Sequence, residues 1–241
     1  MRGGDMRVWD VNPGYLNRQS LLGEHRELHG IVSIFMHNKK GYAKHPETLR
    51  WVDCTWALRI RHQQLVSEMN LRGYTDKTPV SADFAKNVNN WPKKYIDEPF
   101  KQFLILSEKY KEKESGRIPL PKTAQQVWGQ HKYSLLARDV ELYKKIGKEV
   151  SVMKPTQDFS RVARLLTESL RKHPSEGGLR NALQHMWGHV SNKFPSFEGF
   201  AEDLSLKNLL DEIQRRTLEC REDYLLHSTA LSELAIWLSE N

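Results

Sequence analysis

A short segment near the start of the chain combines residue types that suit amine-based chemistry. Residues 19–28 read Gln-Ser-Leu-Leu-Gly-Glu-His-Arg-Glu-Leu, which places the Glu27 carboxylate next to the Arg26 guanidinium. Met6 lies upstream at a possible chain start. An α-amine has a pKa of ~7.7–8.0, so a useful fraction is neutral and nucleophilic near pH 7. A nearby carboxylate can stabilise a cationic imine and move protons. Met6 and Glu27 are therefore candidate catalytic residues of an imine-forming site.

The role of Met6 depends on where the mature chain begins. Residues 1–5 precede it, and codons such as AGA-GGA-GGU-GAU for residues 2–5 would form a ribosome-binding sequence ahead of a Met6 codon. We therefore expect translation to begin at Met6. Removal of this methionine is not expected, because Arg7 is bulky. An intact mass that includes residues 1–5 would contradict this expectation.

The apolar periodicity predicts that Glu27 lies on a helix over residues 17–37, with Asn17 as its N-cap. Arg26 points away from the apolar face and Glu27 lies at its border. Glu24 falls within that face, where an unpaired carboxylate is costly, so it is expected to pair with an arginine or a backbone N–H. The alternative for Glu27 is a solvated carboxylate that pairs with Arg26 or with a neighbouring helix.

Two pairs of histidines have the i, i+4 spacing that could hold a metal ion. His25 and His29 do not match the zinc-protease pattern, because Glu does not follow the first His, and the sequence shows no third ligand. His185 and His189 are expected to be packed or hydrogen bonded. The sequence therefore predicts no metal site and no cofactor.

Almost all of the remaining chain shows helical patterns. Residues 115–121 contain a glycine and two prolines and form a candidate linker. The predicted fold class is all-α with two helical domains, residues 6–115 and residues 122–239. The helices are expected at residues 17–37, 47–72, 100–115, 123–150, 156–173, 177–193 and 205–238. The last has a candidate break near Cys220, and Ser81 is expected to cap a further short helix.

Composition narrows the classes of function. The 241 residues carry a net charge of +7, and residues 6–118 hold 19 Lys and Arg against 13 Asp and Glu, which favours a polyanionic partner for this half. No apolar run approaches the ~20 residues that span a bilayer, and no signal-peptide pattern is present, so a cytoplasmic location without membrane contact is expected. Cys54 and Cys220 are expected to be reduced thiols.

The first ~75 residues resemble the pyrimidine-dimer DNA glycosylase family of the phage endonuclease V type. The resemblance rests on Met6-Arg7-Val8, on the pattern Gln-x-Leu-x-x-Glu-x-Arg-Glu-Leu over residues 19–28, and on residues 41–46 and 65–74. Ser20 and Gly30 depart from the phage-type pattern, which has histidine and arginine there. These departures bear on dimer specificity more than on the glycosylase and lyase chemistry.

The resemblance implies a compact helical enzyme that bends damaged double-stranded DNA and extrudes a base at a lesion such as a cyclobutane dimer. The chain's α-amine would attack the sugar C1′, the base would leave, and the imine would allow strand cleavage by β-elimination. Glu27 would be the essential carboxylate, and Arg7 and Arg26 would contact phosphate or the lesion. Further basic residues are candidate DNA contacts, namely Arg18, Lys39, Lys40, Lys93 and Lys94.

The second half resembles the YbgA-like domain of unknown function, through residues 130–138, 143–147 and 181–188. Asn181, Gln184, His185 and His189 are either buried polar residues that tie helices together or groups that face a ligand groove. Two other functions remain open for the whole chain. It could be a catalytically silent nucleic-acid-binding or scaffold protein, or an enzyme that acts on free modified nucleobases or RNA.

Overall fold

Helices form all the regular secondary structure in the part of the chain described by the computed structural model, residues 6–193 and 204–238. This confirms the all-α prediction. In none of the helices within those ranges are length and apolar character sufficient to cross a membrane. The α-helices are α1 Arg18–His37, α2 Pro46–Arg50, α3 Thr55–Leu71, α4 Pro99–Lys109, α5 Ala124–Leu136, α6 Val140–Val152, α7 Ser160–Ser169, α8 Glu176–Trp187, α9 Leu206–Cys220, α10 Asp223–Leu226 and α11 Ala230–Glu233.

Capping side chains mark the N-terminal ends of several helices. The Asn17 side chain accepts a hydrogen bond from the Ser20 N–H, as predicted for the cap of α1, and α1 ends at Asn38 in the left-handed conformation. Thr123 and Asp139 cap α5 and α6 in the same way. Short polar side chains at these positions satisfy backbone donors that the first turn leaves unpaired.

Two predicted long helices are interrupted. The prediction of one helix over residues 47–72 is wrong, because residues 51–54 form turns between α2 and α3. Trp51 is buried there and donates its indole N–H to Glu47 Oε1, while Asp53 adopts a left-handed φ of 61°. The predicted helix over residues 123–150 likewise breaks before Asp139. Burial of one side chain can stop a helix that propensity alone would continue.

The helix predicted after Ser81 is only a 3-10 turn, Ala82–Phe84. Phe84 packs against the core, whereas Val88 is 68% exposed and shares no buried face with it. The region predicted as residues 205–238 does break after Cys220. Cys54 and Cys220 are both free thiols.

Residues 115–121 carry no helix, as predicted, but they are packed against the N-terminal segment. The Ile118 N–H donates to the Gly14 carbonyl at 2.9 Å, and Ile118 is fully buried. A Cβ added at Gly116 would lie 2.5 Å from the Tyr15 backbone, so only glycine allows this approach. The segment is therefore packed on the first half and is not a free linker.

The apolar core is continuous across the two halves. Leu28 of α1, Leu58 of α3 and Leu106 of α4 belong to the same buried cluster as Val127 of α5 and Leu166 of α7. A second cluster joins Ile60 of α3 to the C-terminal helices. The family-like segments are thus two helical regions with shared packing, and the boundary between residues 115 and 122 stays a prediction.

A buried carboxylate, Glu68 on α3, also connects the halves. Arg72 and Arg117 each donate to its oxygens at 2.7 Å. Arg117 also donates to the Ser228 carbonyl at 3.1 Å. Burial alone would raise the pKa of Glu68, but Arg117 and Arg72 hold it below its usual value.

Buried His131 on α5 gives the fold a pH dependence that can be measured. Burial lowers its pKa to about 4, and its Nδ1 lies 2.9 Å from the Val127 carbonyl, to which it donates. Histidine in the unfolded state has a pKa of ~6.5, so between this pH and about 4 the unfolded state binds a proton that the folded state does not bind. We expect this residue to remove about 3 kcal/mol of stability as the pH falls from ~6.5 to 4.

The measurement is urea unfolding at a series of pH values for wild type and His131→Gln. The variant should lose less stability than wild type over this pH range. The exposed His37→Gln variant is the matched control. Parallel pH profiles for wild type and His131→Gln would contradict the expectation.

Candidate active site

Helix α1 is held firmly from its buried side. Glu24 is buried and pairs with Arg61 of α3, whose Nε and Nη2 donate to the two carboxylate oxygens at 2.7 and 3.0 Å. This confirms the prediction that Glu24 pairs with an arginine. Arg61 also donates to the Val11 carbonyl at 3.0 Å, which fixes the extended N-terminal segment against α1 and α3. The Glu24–Arg61 pair therefore fixes the position of α1 relative to α3 and to the N-terminal segment.

A cleft of about 530 Å³ opens beside α1 on the side that carries Glu27. α1 contributes Gly23, Arg26 and Glu27, the N-terminal segment contributes Arg7 and Trp9, and α4 completes the wall. The full lining is Arg7, Trp9, Gln19, Ser20, Gly23, Glu24, Arg26, Glu27, Ile105 and Lys109. The structure thus brings together the sequence-predicted residues Arg7, Arg26 and Glu27.

The Glu27 carboxylate is half-buried in this cleft. Among the residues described, none forms an ion pair or hydrogen bond with it, in contrast to Glu24 one turn earlier. The alternative had Glu27 paired with Arg26 or with a neighbouring helix, and the described residues form no such pair. A carboxylate without a protein partner, set among cations, is available to a ligand.

Arg7 and Met6 bring the chain to the edge of the cleft. Arg7 pairs with Asp97 at 2.8 Å and its guanidinium lies 4.2 Å from the centroid of the Trp9 ring. Met6 is 5% exposed, with its side chain in the core. Since consecutive Cα atoms are ~3.8 Å apart, the backbone of residue 6 lies next to a cleft-lining residue.

Lys109 is a cleft residue that sequence reasoning missed as a site residue. It lies at the end of α4 and lines the same cleft as Glu27. Partial desolvation, with the nearby charges of Lys113 and Arg7, lowers the pKa of its amine. The i, i+4 spacing of Ile105 and Lys109 places both side chains on one face of α4. Nothing in the sequence showed that this face of α4 packs beside α1.

The other predicted DNA contacts lie outside the cleft lining. Arg18 begins α1 and stacks on Tyr74 at 5.8 Å from the ring centroid. Lys39 and Lys40 are exposed beyond the far end of α1, about 15 Å along the helix from Glu27. Lys93 and Lys94 are exposed on the segment that also holds Asp97. None of these five residues lines the cleft with Glu27, and Lys39 and Lys40 line a separate pocket beyond the end of α1.

On the opposite side of α1, the structure groups side chains that the sequence left unconnected. His25 and His29 face His62 of α3 and Asp76, and one possible ligand atom from each lies within 4.8 Å of all the others. The prediction of no metal site rested on the lack of a third ligand. His62 and Asp76 could supply a third and a fourth ligand, so this ground for the prediction no longer holds, while the prediction itself stays untested.

In the second half, His189 is hydrogen bonded as expected. Its Nε2 lies 2.7 Å from the Tyr133 hydroxyl, and its ring stacks on Tyr224. Gln184 and His185 are exposed. A separate cleft of about 470 Å³ lies between the start of α5 and α10, and none of the four polar residues singled out in the sequence lines it.

Comparison with known families bears directly on the cleft. Residues 6–82 match the family described as pyrimidine dimer DNA glycosylase. This glycosylase-like region contains Arg7, Arg26 and Glu27, whereas Lys109 lies outside it. The match supports a function of the DNA glycosylase type, with DNA as the substrate, at the level of the family.

Residues 132–233 match a family described as a protein of unknown function, DUF1722. Both matches agree with the two resemblances found in the sequence. No curated protein and no solved structure matches the chain.

Proposed function

We propose that the protein is a DNA glycosylase with AP-lyase activity on damaged pyrimidines such as cyclobutane dimers. The observation that supports this most directly is the Glu27 carboxylate, which pairs with none of the described residues and lies in a cleft that also holds Arg7, Arg26 and Lys109. The cleft lies in the region similar to pyrimidine dimer DNA glycosylases.

The reaction uses the α-amine of Met6 as nucleophile. The amine nitrogen bonds to the sugar C1′ while the C1′–base bond breaks, and the base leaves with a proton. Ring opening gives a cationic imine, which Glu27 stabilises. Loss of a C2′ proton and cleavage of the 3′ C–O bond then break the strand, and water releases the enzyme from the imine. Glu27 accepts and returns protons during these steps.

Arg26 and Arg7 hold the DNA at the cleft. Arg26 is exposed on α1, next to Glu27, and Arg7 would exchange Asp97 for a phosphate. Guanidinium groups recognise phosphate through paired N–H donors. The exposed basic residues Arg18, Lys39, Lys40, Lys93 and Lys94 extend this contact along the backbone of the double-stranded DNA.

Borohydride trapping tests the proposal and distinguishes the two amines near the cleft. Protein that begins at Met6 is incubated with duplex DNA carrying an abasic site or a cyclobutane dimer, then reduced, and the adduct is mapped by mass spectrometry. We expect an adduct on the Met6 amine with both DNAs, and its loss when residues 1–5 are restored. An adduct on Lys109 would keep the imine mechanism but replace the nucleophile.

A well-folded protein that forms no adduct with either DNA would overturn the proposal. DNA binding without an adduct would then favour the nucleic-acid-binding or scaffold alternative. Trapping on the abasic site alone would show lyase chemistry without base removal, and the dimer would no longer be the substrate.

Arg26→Ala should weaken binding to all DNA sequences and reduce its dependence on salt. The slope of log K against log salt concentration is negative, and one lost phosphate contact reduces its magnitude by ~0.9 for duplex DNA. The measurement is fluorescence anisotropy with duplex DNA at several salt concentrations. Lys145→Ala, an exposed cation on α6, is the control and should keep the wild-type slope. An unchanged slope for Arg26→Ala would remove this residue from the DNA contact.

A further inference from the structure

Four side chains from three segments converge on the side of α1 opposite to the cleft, and we call them the histidine cluster. α1 supplies His25 and His29, α3 supplies His62, and the segment after α3 supplies Asp76. Residues 25 and 27 are ~200° apart around the helix, so the histidine cluster and Glu27 lie on different faces. The chemistry available to the histidine cluster is therefore independent of the proposed glycosylase activity.

The distances within the histidine cluster fit a common metal ion. His29 and His62 Nε2 atoms are 3.2 Å apart, His25 Nε2 is 3.3 Å from Asp76 Oδ1, and His62 Nε2 is 3.6 Å from Asp76 Oδ2. Four ligands around Zn²⁺ with bonds of 2.0–2.1 Å form a tetrahedron whose edges are about 3.3 Å. These three separations are close to that value, and one donor atom from each of the four residues lies within 4.8 Å of all the others.

Hydrogen bonding alone does not account for the arrangement. His25 Nε2 is buried and makes no hydrogen bond with any of the described residues, although Asp76 Oδ1 lies 3.3 Å away. His29 Nε2 lies 3.2 Å from His62 Nε2 and 3.1 Å from the Thr78 hydroxyl, and metal binding would replace these hydrogen bonds. Imidazole nitrogens are common ligands of zinc.

A second set of contacts orients the carboxylate. The Thr78 N–H donates to Asp76 Oδ1 at 2.9 Å, and the Thr78 hydroxyl donates to the same oxygen at 3.1 Å. Such outer contacts are typical around metal ligands and fix their direction.

We propose that the histidine cluster binds one zinc ion in a tetrahedral site of three imidazoles and one carboxylate. Three nitrogen ligands favour zinc over the alkaline-earth ions, which prefer oxygen ligands. With all four positions taken by protein, the site is structural. It ties the non-helical segment that carries Asp76 to α1 and α3.

The test uses the full chain, purified without a histidine tag, stripped with a chelator and dialysed. Zinc is added, free metal is removed, and bound metal is measured by mass spectrometry. Isothermal titration gives the affinity, and the melting temperature is recorded with and without zinc. We expect about one equivalent of zinc and a higher melting temperature in its presence.

His62→Asn and Asp76→Asn should each weaken zinc binding at least ~100-fold and abolish the thermal shift. His37→Asn, an exposed histidine on the same helix, is the matched control and should bind zinc like wild type. Asp76 lies in a non-helical segment, so its variant remains informative if His62→Asn fails to fold. Cobalt substitution provides a second readout, since tetrahedral and octahedral Co²⁺ have different visible spectra.

Substoichiometric zinc in the reconstituted wild type would overturn the proposal. So would an affinity that His62→Asn and Asp76→Asn leave unchanged, or an octahedral cobalt spectrum, which indicates surface binding through water. DNA cleavage is not a readout here, so failure of the metal site and failure of the glycosylase proposal are separate results.

Discussion

Glu27→Gln is expected to abolish strand cleavage while leaving the fold and DNA binding intact. The substitution keeps the shape of the side chain but removes the charge that would stabilise the cationic imine, and it removes the proton acceptor. Loss of a positioned acid–base or electrostatic group costs on the order of 10²–10⁴ in rate. Because none of the described residues pairs with Glu27, the change should alter stability by no more than ~0.5 kcal/mol.

Single-turnover cleavage of duplex DNA with an abasic site, or with a cyclobutane dimer, measures this effect. Glu108→Gln, an exposed carboxylate on α4, is the control and should cleave at the wild-type rate. Thermal unfolding and anisotropy confirm that Glu27→Gln is folded and binds DNA. Cleavage by Glu27→Gln at the wild-type rate would exclude Glu27 from the mechanism.

Glu68→Gln is expected to cause the largest loss of stability. The carboxylate is fully buried between Arg72 and Arg117, so its neutralisation leaves two guanidinium groups without their counter-charge. Breaking a buried ion pair by removing one partner costs about 3–5 kcal/mol. Urea unfolding gives the free-energy difference directly.

Glu112→Gln is the control, because it changes an exposed carboxylate near the end of the first half and should leave stability unchanged. Because Arg117 also contacts the carbonyl of Ser228, the loss in Glu68→Gln should reach both halves. Hydrogen exchange can follow α3 and the C-terminal helices separately in the same sample. A loss below about 1 kcal/mol, or faster exchange in one half only, would show that this cluster does not join them.

The predictions that held depend on local chemistry. Asn17 as the cap of α1 follows from its side chain and the periodicity after it, and the need of Glu24 for a partner follows from its place on an apolar face. Both predictions depend only on residues within about one turn of the helix. The sequence could name the type of partner for Glu24, but Arg61 itself lies 37 positions away.

The residues that were missed are brought in by packing between distant segments. Lys109 reaches the cleft because α4 lies beside α1, and His62 and Asp76 reach His25 through α3 and the turn after it. The break at residues 51–54 also coincides with a long-range feature, since Trp51 is buried there in the core shared by distant segments. One sequence carries no periodic signal for such contacts.

The close approach of Gly116 to Tyr15, with Ile118 over Gly14, has a consequence for how the chain unfolds. Residues 116 and 118 lie between the two segments that match families, and they pack on the first of these segments. Ile118 also belongs to the buried cluster that continues into α5 and α7. We therefore expect calorimetry to record a single unfolding transition for the whole chain.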